Sequence, residues 1–146
     1  MLKYTKLNRL FTDKTIIMAI YGIGAYYNAD VSNDFIINNF VGTGWTVVDA
    51  PELHIYFATL KVGDVVYIKA AFGGADITVK GIGIIKDDVV LTSSHHKLTE
   101  IGRNVKWVNT EKFTITRPTE KNNVRSNTVY EEFHPLVQKE IIQRIG

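Results

Sequence analysis

The chain has 146 residues, a formal net charge of +2 and no cysteine. That length fits one domain with a core of its own. The absence of thiols excludes disulfides, thiolate zinc sites and cysteine nucleophiles, and so small a net charge does not by itself mark a nucleic-acid binder.

Basic residues precede the apolar run Thr15–Ala25, which superficially imitates a signal peptide. The run holds Tyr21 and two glycines and is far shorter than the ~20 apolar residues a bilayer span needs. It reads as a buried strand over Thr15–Tyr21, and the chain as cytoplasmic with no membrane contact. Gly22–Asn33 has the composition of a loop, after which Ser32 is placed to cap a short helix through Asn39. Gly42-Thr43-Gly44 reads as a turn. Pro51 suits the first turn of a helix to Leu60, with Asp49 as its cap.

The middle is β-rich. Val62-Gly63-Asp64 is a turn and Val65–Phe72 a strand, and Gly73–Asp76 closes a hairpin onto Ile77–Ile85. Gly81 and Gly83 share one strand face, so something packs very close there, a backbone or ring rather than a ligand. Val89–Thr92, Val105–Val108, Lys112–Thr116 and Asn127–Glu131 are short strands separated by polar loops. Pro135–Ile145 is a terminal helix with the stripe Val137, Ile141, Ile145. The fold class expected is α+β: one domain over residues 1–146, a mixed, mostly antiparallel β-barrel with short helices on its rim and a C-terminal helix.

Charge is unevenly spread. Residues 15–60 contain no Lys or Arg and carry a net −4, whereas residues 95–125 carry +4. A sign asymmetry of this kind either marks an interaction surface or is a solvated basic loop. Cations such as Lys97, Arg103, Lys106, Lys112, Arg117, Lys121 and Arg125 suit phosphate contacts, which position a nucleic acid without reading it.

Enzyme signatures are missing: GxxxxGK[ST], GxSxG and HExxH do not occur. Ser93-Ser94-His95-His96 is a polar loop rather than a nucleophile–base pair, because neighbouring side chains diverge and triads are built by geometry. His54 and His134 have no ligand-spaced partner, so no metal, no cofactor and no catalytic residue is expected. A nuclease built on Asp30, Asp34 and the His95/His96 loop rests on residue type alone.

The cation-free segment is aromatic. Tyr21, Tyr26, Tyr27, Phe35, Phe40 and Trp45 lie beside Asn28, Asp30 and Asn38. Flat rings stack on a base, and Asn or Asp reads its edge. Phe35 and Phe40 fit a buried helical face. Tyr26 and Tyr27 leave two readings open, a site or a buried pair whose hydroxyls find partners.

Leu60–Phe72 (LKVGDVVYIKAAF) followed by Val79–Ile85 (VKGIGII) resembles the central signature of PUA-like domains of the EVE/YTH type. Asp30–Ile37 (DVSNDFII) and Gly42–Trp45 (GTGW) resemble the segment before the GD turn in the related modified-base-reading domains attached to modification-dependent restriction proteins. Val105–Trp107 and the closing TVYEEF and helix fall in the expected order. Tyr21 stands where many relatives carry tryptophan. The resemblance implies a non-enzymatic module holding a flipped or modified base of DNA or RNA in an aromatic pocket. By it, Tyr21, Tyr26, Tyr27 and Trp45 would border or stack, Asn28 and Asp30 would read edges, and Lys69 would sit at the pocket mouth. Arg103, Lys106, Arg117 and Arg125 would meet phosphates. The other reading is a free cyclic or adenine-derived nucleotide, sequestered as a phage anti-defence factor would do it, with a homo-oligomer sharing the pocket. The 17 Ile and the 12 Lys against 5 Arg hint at an AT-rich genome of that kind.

Overall fold

The computed structural model describes residues 19–71, 75–119 and 125–146. Its organising element is the apolar run after the GD turn. Gly63 takes φ 95°, a left-handed backbone that favours glycine. The buried Asp64 carboxylate then accepts from the Lys61 backbone N–H at 2.7 Å and fixes the turn. The strand that follows is buried on both sides. Val66 and Ile68 enter one core, with Ile23, Phe35 and Phe57. Val65 and Tyr67 enter a second, with Ile82, Tyr130, Val137 and Ile141. A strand with two buried faces needs no polar alternation, which is why it reads as an unbroken hydrophobic run.

The strands are β1 (Ile20–Gly24), β2 (Phe40–Thr43), β3 (Val65–Ala70), β4 (Ile77–Leu91), β5 (Ile101–Asn109), β6 (Phe113–Ile115) and β7 (Val129–Glu131). The helices are α1 (Ser32–Asn38), α2 (Pro51–Thr59) and α3 (Pro135–Gln143). The strands form one seven-stranded mixed sheet in the order β2-β5-β4-β3-β1-β7, with β6 alongside β4. β1 and β3 are parallel, and every other pairing is antiparallel.

The α+β class therefore stands, but the sheet is open, which corrects the expected barrel. β2 and β7 end the strand order, and no pairing joins them among the described residues. The reason lies in the crossover that parallel strands require. The link from β1 to β3 carries α1, β2 and α2, whose Phe35, Phe40 and Phe57 cover one face. α3 covers the other face. With both faces capped, the sheet buries its apolar side chains without closing on itself.

Details of β4 depend on packing. Ile68 pairs with Gly81 and Lys69 with Val79, so Lys80 is an extra, bulged residue. The bulge flips the side-chain alternation and lets Ile77, Val79 and Ile82 all reach the second core. Gly81 and Gly83 lie under the Trp107 ring, as their spacing predicted. A Cβ on Gly83 would stand 2.8 Å from that ring and 2.3 Å from Val105.

Gly42-Thr43-Gly44 is no free-standing turn. Gly42 and Thr43 close β2, because Gly42 faces Gly102 across the ladder and leaves room for the Thr99 side chain. β4 also runs on to Leu91 rather than stopping at Ile85. Ala50, not Asp49, is the N-cap of α2, and it makes no side-chain cap bond. Ser32 opens α1 rather than preceding it. Within the proposed first strand, Thr15–Met18 lie outside the described residues, as do Phe72–Gly74 of the hairpin and Lys121 of the basic loop. Among the described residues, no helix is long and apolar enough to cross a membrane.

Candidate functional site

A cleft of about 450 Å³ opens between α2 with its leading loop and the segment entering β7. Trp45, Leu53 and Tyr56 give one wall its apolar surface, and Asp49 and Glu52 its charge. Ser126, Asn127 and Thr128 form the facing, hydrogen-bonding wall. Trp45 is 54% exposed and Tyr56 37% exposed, a large ring area offered to solvent.

Each wall is held from behind. The His54 ring donates from Nε2 to the Trp45 carbonyl at 2.8 Å, which fixes the loop to α2. The Trp45 backbone N–H donates to Thr43 Oγ1 at 3.2 Å. Phe57, fully buried, anchors the helix while Tyr56 is turned outward. Tyr21 meets Tyr56 edge to face with ring centroids 6.3 Å apart. On the far wall, the Gly24 N–H donates to the Thr128 carbonyl at 2.8 Å.

The electrostatics at this end of the sheet are negative. The Tyr21 hydroxyl is pushed up to about 12 by burial and then by Glu131, Asp64 and Tyr56. Glu131 is raised by burial and by Asp64, against Lys61. Among the described residues that line the cleft there is no Lys or Arg.

Of the residues singled out in the sequence, Trp45 lines the cleft and Tyr21 backs it. None of the residues from Tyr26 to Asp30 is among the cleft's lining, and that loop is closed by a bridge between Tyr26 and Asp30. Tyr27 is not a stacking platform. Its hydroxyl donates to the Gly42 carbonyl at 2.7 Å, and its ring packs edge-on against Phe35. Burial pushes its pKa well above the ordinary tyrosine value. Tyr26 is 62% exposed, and Asn28 is exposed with φ 63°. Asp30 holds the start of α1, accepting from the Ser32 N–H at 2.9 Å and the Ser32 hydroxyl at 2.6 Å, and pairs with Lys80. Partial burial opposes its ionisation, but these bonds outweigh it and bring its pKa to about 2.

Three expected cation roles are corrected. Lys69 does not stand at a pocket mouth; it is 8% exposed, donates to the Arg125 carbonyl, and lies over the Tyr130 ring at 5.5 Å. Burial lowers its pKa to about 8. Arg103 is 1% exposed and faces no phosphate. Its guanidinium donates to the carbonyls of Phe57, Leu60 and Asp87, compensating the C-terminal end of α2. Arg125 is buried in an ion pair with Glu132 at 2.6 Å. Lys106 and Arg117 are exposed.

The histidine loop is spent on its own turn. His95 Nδ1 accepts from the Thr92 N–H, and His96 Nδ1 from the Leu98 N–H, with the His96 ring against Phe40. Among the described residues, no group of three or more His, Cys, Asp or Glu is placed to hold a metal.

Sequence reasoning missed Tyr56, Asp49, Glu52 and the whole Ser126–Thr128 wall. Glu52 and Tyr56 are four residues apart on α2 and so share a face, a signal that was available. The far wall left no such signal. The chain matches no protein-family model and no curated protein.

Proposed function

We propose that the chain is a PUA-like, non-catalytic binding module that holds a planar base in the Trp45–Tyr56 cleft, most naturally a modified base of DNA or RNA. The observation that carries this reading is the opposition of exposed aromatic rings to a wall of Ser126, Asn127 and Thr128. Rings stack on the face of a heterocycle while hydroxyls and an amide meet its edge. The cleft volume lies within the ~300–1,000 Å³ range of small-molecule sites. A cysteine-free chain suits a cytoplasmic setting.

One observation favours a second reading, a free nucleotide or nucleoside. Two of the four arginines and lysines expected at phosphates, Arg103 and Arg125, are buried against internal partners. Of those four, that leaves Lys106 and Arg117 for a backbone, beside the exposed Lys97 and Lys112, and a ligand with few phosphates needs fewer cations.

A thermal-shift panel at two salt concentrations tests both readings. It compares modified-base oligonucleotides, their unmodified counterparts, and cyclic and adenine-derived nucleotides. A stabilisation by oligonucleotides that fades with salt supports the polymer reading. Stabilisation by free nucleotides alone supports the second. If no base-containing ligand raises the melting temperature at either salt, base binding is overturned.

A further inference from the structure

The charge of the cleft narrows what it takes. From the structure we infer that the preferred occupant is cationic: a heterocycle that carries a fixed positive charge, as quaternising N-methylation gives a purine or pyrimidine. This inference rests on the base-binding reading above and adds to it a ligand class.

Three features of the same cavity converge. Two carboxylates, Asp49 and Glu52, line it, and neither side chain has a hydrogen-bond or ion-pair partner among the described residues. Trp45 and Tyr56 line it with aromatic rings, and the quadrupole of such a ring attracts a cation. Among the described residues, the lining itself carries no Lys or Arg. The 46 residues from 15 to 60, which supply the whole α2 wall, contain no Lys or Arg. Behind that wall, Glu131 and Asp64 act on Tyr21 with the same sign.

A neutral base gains stacking from this cleft but nothing from its carboxylates. An anionic group placed there meets like charge. A flat cation gains from both the rings and the carboxylates, and it needs no buried counter-ion from the protein. The polar wall of Ser126, Asn127 and Thr128 remains available to its edge.

Calorimetric titration of the full chain with matched pairs tests this. The pairs are 1-methyladenosine against adenosine, 3-methylcytidine against cytidine, and 7-methylguanosine against guanosine. Each base is offered as the free nucleoside and inside a short oligonucleotide, with tetramethylammonium as a charge-only probe. The expected result is about tenfold tighter binding of at least one methylated cation than of its neutral parent, a desolvated cation–π gain. Raised salt should narrow the gap. The double variant Asp49→Asn, Glu52→Gln should bring the two affinities together, and circular dichroism will verify its fold.

Equal binding of cation and parent, lost in Trp45→Ala, would overturn the charge inference and leave base binding standing. Tetramethylammonium binding without any base would support the charge preference and overturn base binding. No binding of any probe overturns both.

Discussion

The two faces of the β1–β3 pair are built from the same residue types and treat them in opposite ways. On the α3 face, Glu132 is saturated. Tyr67 Oη donates to it at 2.7 Å, Arg125 donates from Nε at 3.1 Å and Nη2 at 2.6 Å, and the His134 N–H donates at 2.9 Å. Tyr67 has spent its proton on Glu132, so Tyr130 must donate to Tyr67, at 2.7 Å. On the α2 face, Asp49, Glu52, Tyr56 and Trp45 line a cleft and turn towards solvent. A buried polar group without partners costs stability, so the interior network is complete. An exposed group bears no such cost and stays available to a ligand. Charge and aromatic content therefore do not locate a site. What separates the two faces is how far their polar groups are satisfied within the protein.

The sharpest way to break this contrast is to remove matched carboxylates. Glu132→Leu should lose about 3–5 kcal/mol in urea unfolding, because the buried Arg125 charge loses the Glu132 carboxylate. Glu52→Leu should change stability by no more than about 0.5 kcal/mol, as an exposed site does. Equal losses would abolish the distinction.

Glycines offer a second pair. A Cβ on Gly22 would stand 2.4 Å from the Tyr130 ring, inside the completed network. Gly22→Ala should cost about 1–3 kcal/mol through overpacking. On the cleft side, Gly44→Ala would meet Tyr27 only at 3.6 Å, an ordinary contact, and should be near neutral in the same unfolding assay.

Trp45→Ala separates binding from folding. Its melting temperature should match that of the parent chain, because the ring is half exposed. Its affinity for a base-containing ligand should fall by about 1–3 kcal/mol, the value of one stacking contact, as read by calorimetry.

The last contrast concerns pH. Lys69 binds its proton less tightly in the folded state, with a pKa of about 8 against an ordinary 10.5. Between those values the unfolded state holds more protons at this site, so the Lys69 contribution to stability should rise as pH increases from about 8 towards 10, while the raised hydroxyls of Tyr21, Tyr27, Tyr67 and Tyr130 pull the other way near 10. Lys69→Met should remove that slope and should be no less stable at pH 7, since it also removes a buried charge. A difference between the wild-type and Lys69→Met profiles that stays flat over this window would show that the ammonium carries no desolvation penalty.

How much of this was legible beforehand differs by element. The run Val65–Phe72 announced a strand, and Pro51 and Pro135 announced helix starts, because these features are local. Gly81 and Gly83 announced a close neighbour and received Trp107. Trp45 was singled out by its company of aromatics, and it lines the cleft. Tyr27 was not separable from Tyr26, because only the carbonyl of Gly42 tells the buried ring from the exposed one. Arg103 looked like a surface cation, since the carbonyls that bury it come from Phe57, Leu60 and Asp87, far away in the chain. The β2 strand was hidden by its glycine, whose partner Gly102 lies 60 residues further on.

By itself, the sequence determined the local periodicities, the helix starts, the GD turn and a long segment without cations. Each follows from backbone sterics or from alternation within a few residues. The tertiary structure alone decided which charges face water. It joined the cation-free α2 wall to Ser126–Thr128, closed the ion pair of Arg125 with Glu132, and left the sheet open. Those outcomes depend on desolvation, and desolvation is fixed by neighbours distant in the chain. The net charge of +2 thus divides into cations that are partly used up inside and a cleft whose carboxylates remain outside.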